Sequence, residues 1–451
     1  MTARITKRRV VAVAGLSALA LVASACGSGS KKTNTALNTP ECAAYKTYGD
    51  LTGKTVKVFT GIVTPEDELL KKTWAPFEKC TGAKIQGTFD KSFETQVLVQ
   101  AKAGNPPDIA IVPQPGLLAQ LVATGKAVPA GAATVANVDK WFSKDWKDLG
   151  TVDGTFYAPP QNASMKSLVW YSPKEFKDKG YTIPTTLDEL VALSDKIAAT
   201  GKKPWCAGIS SGEATGWPVT DWMEDMMLRL YGAEEYDKWV KHEIPFNSAE
   251  PTAALDEVGK FLKNDKYVNG GLGNVKSIAT TTFQDGGLPI LKGQCSMHRQ
   301  ASFYAANWPK GTKVAPDGDV FAFYLPGKTA SEKPVLGGGE FMLAFSDRKE
   351  VMAFQAFVAS DTWANLAAAG GGGRSVTPNK GVDVAKCNCS EIDKLAYSVL
   401  QDPGAVFRFD GSDAMPGAVG SNSFWKQATA WITGQSTKDT VDKIEASWPK
   451  S

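Results

Sequence analysis

Residues 55–112 read TVKVFTGIVTPEDELLKKTWAPFEKCTGAKIQGTFDKSFETQVLVQAKAGNPPDIAIV. Thr55–Thr60 alternates like a strand, and Leu70, Trp74 and Phe77 then recur at helical spacing. Ahead of that helix Thr64 is expected to be the N-cap, Pro65 suits the first turn, and Glu66 and Asp67 favour the positive end of the dipole. A strand over 83–89 follows, then a helix through Phe93, Val97 and Ala101 that stops at Gly104. After Asn105-Pro106-Pro107-Asp108 comes the apolar strand Ile109–Val112. Strands alternating with helices predict an α/β fold with a mainly parallel sheet.

Working outward, residues 156–171 (FYAPPQNASMKSLVWY) break the alternation with a proline-stiffened crossing and a β-prone end, so 159–162 is expected to be a hinge. Thr186-Leu187-Asp188-Glu189 forms a capping box ahead of Leu190, Leu193 and Ile197, and the second lobe therefore also runs strand then helix. Strands at 320–325 and, behind Gly337-Gly338-Gly339-Glu340, at 341–345 are expected to return to the first lobe. Glycines 370–373 punctuate a third crossing, and helices at 423–431 and 438–448 close the chain. The expected organisation is 51–159 with 322–366 as lobe 1 and 163–318 with 371–451 as lobe 2, joined by three hinge crossings.

The chain has 451 residues, 43% hydrophobic and 22% charged, enough apolar mass for two packed domains and too many charges for a multispan membrane protein. Its formal charge of +3 is carried by Arg4, Lys7, Arg8 and Arg9; without them 46 basic residues face 47 acidic ones. A near-neutral body is not built to neutralise phosphates, which argues against a nucleic-acid ligand. That cationic start, the apolar run 10–23 and Ser24-Ala25-Cys26 form a signal-peptide pattern over 1–25, too short to span a bilayer. Leu21-Val22-Ala23-Ser24-Ala25-Cys26 resembles a bacterial lipobox, with Ala23 where Leu is usual. Cys26 is then the lipidated residue, 26–50 a tether, and the chain is held at the extracytoplasmic face of the cell membrane by lipid alone. Plain secretion with Cys26 unmodified is the alternative.

Six cysteines remain, an even number suited to an oxidising exterior. Among the about fifteen possible pairings, Cys42 with Cys80 would staple the tether to the globule, and Cys206 with Cys295 and Cys387 with Cys389 would complete the set. Two histidines past the leader, His242 and His298, and no CxxC leave a metal site weakly supported. No metal and no cofactor are expected.

The lipobox, Gly104-Asn105-Pro106-Pro107-Asp108-Ile109, Phe156-Tyr157-Ala158-Pro159, Leu168-Val169-Trp170-Tyr171, Pro184-Thr185-Thr186-Leu187-Asp188-Glu189-Leu190 and Val376-Thr377-Pro378-Asn379-Lys380-Gly381 together resemble the extracellular solute-binding proteins of bacterial ABC importers, in the sugar-binding branch that includes maltose-binding protein. Ala214-Thr215-Gly216-Trp217-Pro218, Asp221-Trp222 and residues 409–416 (FDGSDAMP) are most similar to the α-glucoside binders. The resemblance implies a type II two-lobe periplasmic-binding-protein fold, a sugar in the interlobe cleft, delivery to ABC permease subunits, and a monomer.

Sugar recognition needs aromatic faces for the C–H side of a pyranose and polar side chains for its hydroxyls. Trp217, Trp222, Phe303 and Trp425 are the aromatic candidates, and the resemblance favours Trp217, Phe303 and Trp425. Core packing is the competing reading for each, and Trp425 lies beside the apolar stripe Phe424, Ala428 and Trp431. Among polar residues, Gln114 follows a strand at the end where open α/β sheets bind ligands. Asn162 and Lys166 lie at the first crossing, Arg374 at the third. Glu66, Asp221, Gln300, Asp413 and Glu340 complete the set, with Gly339 among the glycines that would let a ligand approach. Capping duties compete for Glu66 and Asp413. A secreted glycoside hydrolase is the rival class, but no local motif nominates its carboxylate pair. No HExxH is present either, and a structural lipoprotein would leave the crossings unexplained.

Overall fold

The computed structural model describes residues 34–370, 376–385, 387–400 and 402–449. The opening stretch forms β1 (Thr55–Thr60), α1 (Glu66–Thr81), β2 (Lys84–Phe89), α2 (Phe93–Lys102) and β3 (Ile109–Val112), with α3 (Pro115–Ala123) behind it. β1 pairs in parallel with both β2 and β3. The helices bury the expected faces: Leu70, Trp74 and Phe77 on α1, and Phe93, Val97 and Ala101 on α2. Thr64 does not cap α1, because the residue at the cap position is Pro65, which has no side-chain hydroxyl to offer. Asp67 turns to Lys71 one turn on, at 2.6 Å.

After a small hairpin of β4 (Thr151–Val152) and β5 (Thr155–Phe156) come β6 (Pro160–Met165), β7 (Leu168–Tyr171), β8 (Lys203–Trp205), β9 (Cys295–Arg299), β10 (Phe321–Tyr324), β11 (Lys333–Ala344) and β12 (Ala405–Phe409). The first sheet runs β12-β11-β3-β1-β2, with β6 also on β11; the second runs β10-β7-β9-β8. The first sheet is mixed: β11 lies antiparallel to β3 and β6 and parallel to β12. The helix Leu187–Ala198 starts as expected, Thr186 Oγ1 accepting from Glu189 N at 3.2 Å, and buries Leu190, Leu193 and Ile197.

Sheet membership moves the expected boundaries. Residues 160–165 pair with β11, so the chain stays with the first sheet through the proposed hinge at 159–162 and changes sheets at Lys166-Ser167. β10, expected in lobe 1, pairs with β7 in the second sheet, and the return to the first falls between Tyr324 and Lys333. β12, expected in lobe 2, pairs with β11 in the first sheet. In each case strand pairing, which satisfies the backbone groups, outweighs the proline and glycine punctuation. Glycines 371–373 and Arg374 lie outside the described residues, as does Cys26.

The tether is shorter than 26–50: Pro40–Tyr48 forms a 3-10 helix that buries Cys42 and Tyr45. The structure joins Cys42 to Cys80, Cys206 to Cys295 and Cys387 to Cys389. Among the described residues no helix is long and apolar enough to cross a membrane.

Candidate functional site

A cleft enclosing about 1000 Å³ of empty space, its open mouth included, lies between the two sheets. The first lobe supplies one wall from the ends of its strands: Thr60 to Val63 after β1, Pro113-Gln114 after β3, and Gly338 to Glu340 on β11, with Glu66 of α1 and Lys91 and Glu94 at α2. The carboxyl edge of an open α/β sheet is where ligands enter, because helix starts and unpaired strand ends converge there.

The opposite wall is aromatic. Trp217 opens the helix Trp217–Val240, and its ring lies 5.1 Å from Phe283 and 6.0 Å from Phe303. Trp425, 4% exposed, completes this wall. Gly216 lets it assemble: its φ is +114°, and a Cβ there would lie 2.1 Å from the carbonyl oxygen of Trp425, a position only glycine fills. Thr429 Oγ1 donates to Thr215 O across the same contact, so the Trp217 loop and the Trp425 helix are fastened together.

Behind the cleft runs a buried charge network. Lys166 Nζ donates to Asp410 and, at 3.0 Å, to Asp221, with Asp413 3.9 Å away. Arg299 joins Asp221 to Asp225, and Arg229 holds Asp225 at 2.6 Å. Burial pushes Asp410 up, but Lys166 beside it brings its pKa below the usual value; burial of Asp225 is likewise overcome by Arg229 and Arg299. Burial keeps Asp221 above the ordinary value despite Lys166 and Arg299. Burial, then the charges of Asp410 and Asp221, hold Glu224 well above the carboxylate range. Oxygens of Asp221, Glu224 and Asp410 converge within 4.8 Å, a spacing suited to a cation, and Lys166 bonds two of these three acids. The lysine supplies the positive charge there.

The cleft brings together nine of the sequence-predicted residues: Glu66, Gln114, Lys166, Trp217, Phe303, Gly339, Glu340, Asp413 and Trp425. Trp222 is elsewhere. Five residues along the helix from Trp217 it lies about 140° round the axis, and it packs 5.3 Å from both Trp205 and Phe261 in the second lobe's core. Asp221 faces Lys166 and Arg299 rather than the cleft. Asn162 lies behind the wall, its Oδ1 accepting from Glu340 N at 3.1 Å. Gln300 is fully buried, its Oε1 accepting from Ala301 N.

The glycines of β11 serve packing as well as access. A Cβ on Gly339 would lie 2.4 Å from Asn162 O and 3.0 Å from the Trp146 ring. Lining residues that the sequence did not single out include Glu94, Phe283, Ser164, Lys91 and Asp410. Ser164 had a signal, since it stands two residues after Asn162 on β6 and two before Lys166, which follows the strand's end. Asp410 sits in the FDGSDAMP stretch and N-caps a helical turn, Gly411–Ala414, by accepting from Asp413 N.

Residues 60–365 match the model of the bacterial extracellular solute-binding protein family. The chain is 38% identical over 424 residues to the alpha-glucosides-binding periplasmic protein AglE of Rhizobium meliloti, covering 90% of this chain and 89% of that one. It is 36% identical over 413 residues to the osmoprotective compounds-binding protein GgtB of Synechocystis sp., covering 91% and 96%. Solved structures share the fold at low identity: a chitin oligosaccharide binding protein (TM-score 0.71, 18% identity, 87% of this chain and 97% of that one) and maltose-bound MalE3 of T. maritima (TM-score 0.68, 18% identity, 87% and 98%). These are two-lobe type II binding proteins, the architecture expected from the sequence. The long match and the two near-full-length relatives settle the lineage: this chain belongs to the bacterial extracellular solute-binding proteins.

Proposed function

We propose that this protein captures an α-glucoside, such as maltose, trehalose or a related oligosaccharide, in the interlobe cleft and delivers it to the permease of an ABC importer. The carrying observation is a cleft with aromatic rings on one wall (Trp217, Phe303, Trp425) and polar side chains on the other (Glu66, Gln114, Glu340). Rings cover the apolar face of a pyranose and the polar groups satisfy its rim. The name of the R. meliloti relative, an alpha-glucosides-binding protein, supports an α-glucoside, while that of the Synechocystis relative gives osmoprotective compounds. Family membership removes the hydrolase alternative, since these proteins bind solutes without turning them over.

A thermal-shift screen of the mature protein against a sugar panel tests this reading. A ligand that binds only the folded state adds about 2.7 kcal/mol of stability at a hundredfold excess over its Kd. A panel in which α-glucosides give no shift and another solute class does overturns it. The proposal includes a lipid anchor on Cys26, for which the sequence pattern is the support. Cys26→Ala is expected to release the protein from the membrane fraction without altering sugar affinity; retention after a salt wash counts against the anchor.

A further inference from the structure

The buried charges behind the cleft do not balance. Five carboxylates (Asp221, Glu224, Asp225, Asp410 and Asp413) share three cations, Lys166, Arg229 and Arg299. An uncompensated carboxylate is expensive in such surroundings, so two of the five take up protons instead. Asp225 is clasped by two arginines, and Asp221 by Arg299 and Lys166. Asp410 is saturated: its Oδ1 accepts from Ser412 Oγ and Asp413 N, both at 2.8 Å, and its Oδ2 from Lys166. Glu224 accepts from Gly411 N and Ser412 N inside the protein and does not reach the cleft. Asp413 is left with Lys166 at 3.9 Å, beyond hydrogen-bond reach, and lines the cleft while 8% exposed.

We infer that Asp413 meets the ligand as a neutral carboxylic acid, donating its O–H to an acceptor oxygen of the sugar, so that sugar binding is linked to a proton on this residue. A carboxylate could only accept at that position. The groups facing Asp413 agree. Lys166 and Asp410 face it from the sheet crossings, Asp221 from the helix Trp217–Val240, where Glu224 is turned to Gly411 N and Ser412 N, and Glu94 from α2 in the opposite lobe. α3 and the segment Val419–Phe424, which also pack on its turn, carry no titratable group, and Arg408 of β12 is engaged by Asp237 at 2.6 Å. Burial first and the Asp410 charge second hold the Asp413 pKa well above the carboxylate range, with Asp221 and Glu94 adding to the rise and Lys166 opposing it. Glu94 is itself raised by burial, and Lys91, the lysine on the first-lobe wall, is exposed to solvent, where its charge is screened from the buried Asp413.

The linkage follows with a definite sign. The protonated form binds, so affinity is full at low pH and falls as pH rises through the Asp413 pKa of the free protein, by up to about tenfold per unit beyond it. The inference rests on the sugar reading above, and its test separates the two. Calorimetric titration of the parent with maltose and trehalose from pH 5.5 to 9, in two buffers of different ionisation enthalpy, is expected to show affinity falling at the alkaline end with proton uptake on binding. Asp413→Asn, which keeps a donor but cannot ionise, is expected to retain the parent's acidic-side affinity within about threefold and to lose the pH dependence. Asp413→Ala is expected to bind weakly at every pH. A flat parent profile without proton uptake, or an Asn variant as weak as the Ala variant with an unchanged melting curve, overturns the inference alone. If the Asn variant does not fold, the parent's proton uptake decides. Absence of sugar binding by the parent at every pH removes the inference together with the reading beneath it.

Discussion

Lys166 and Asp410 form a buried ion pair across 244 residues of sequence. The lysine sits where the chain leaves the first sheet after β6, and the aspartate where it leaves the same sheet after β12. The pair therefore ties two passages between the sheets together directly behind the cleft, and Asp221 adds the helix that carries Trp217.

Removing one member of a buried ion pair leaves the other uncompensated, which typically costs about 3–5 kcal/mol. Lys166→Ala is expected to lose stability on that scale in denaturant unfolding, because Asp410 loses its cation and Asp221 keeps only Arg299. A loss below about 1 kcal/mol would mean that the two aspartates simply take up protons.

Trp217 and Trp222 share one helix and are expected to respond oppositely. Trp217 is half-buried on the cleft wall, so Trp217→Ala should weaken sugar binding by roughly 1–3 kcal/mol and leave the melting temperature nearly unchanged. Trp222 is 3% exposed between Trp205 and Phe261, and Trp222→Ala should destabilise the fold by about 3–5 kcal/mol. Calorimetric titration and thermal unfolding of both variants check the division.

That division marks how far the sequence could be read. The β1–β3 alternation announces the α/β sheet, because helical and strand periods are local properties that each segment's own core face enforces. The cleft was legible where a residue stood at a strand end or a loop, as with Gln114 and Trp217. It was not legible for Glu94, Phe283 or Asp410, whose places depend on pairings between distant segments. Trp222, an aromatic candidate in the Asp221-Trp222 pair, misled because its side of the helix is turned to the core, away from the side that Trp217 presents to the cleft. Residues 159–162 and 320–325 misled because proline and glycine mark where a chain turns, while hydrogen-bond pairing decides the sheet it joins.

Neighbouring glycines in β11 should differ in the same way. A Cβ on Gly339 meets the backbone oxygen of Asn162 at 2.4 Å and has no room to yield, since Trp146 stands at 3.0 Å. A Cβ on Gly338 meets Cε of Lys166 at 2.9 Å, the far end of a flexible side chain. Gly339→Ala is expected to lose about 1–3 kcal/mol of stability, the usual range for overpacking, and Gly338→Ala distinctly less. Equal losses in urea unfolding would show that the β6–β11 contact relaxes more freely than its geometry suggests.

His298 sets an acid limit. Burial lowers its pKa to about 4, against the opposing effect of its Nδ1 bond to Cys206 O and with Arg299 adding to the fall. A histidine that resists charging when folded stabilises the protein fully above its unfolded pKa, near 6.5. That contribution disappears as pH falls from about 6.5 towards 4, a loss on the order of 3 kcal/mol. His298→Gln is expected to flatten this part of the stability profile, measured by urea unfolding at a series of pH values; a parent profile that does not decline between pH 6.5 and 4.5 contradicts the assignment.

The cleft also predicts a motion. Its two walls come from different sheets, so a sugar that touches Glu66 and Glu340 on one and Trp217 and Trp425 on the other has more contacts when the lobes are close. A ligand with greater affinity for the closed state shifts the population towards it. Passages at Lys166-Ser167, between Tyr324 and Lys333, and after Phe409 restrict that shift to a hinge closure rather than a free separation. Small-angle scattering is expected to show a smaller radius of gyration at saturating sugar, and a Trp217→Ala Trp425→Ala double variant should need far more sugar for the same change. If the parent's scattering is unaltered while calorimetry shows the site filled, the ligand is gripped by one wall alone and closure is not the signal passed to a permease.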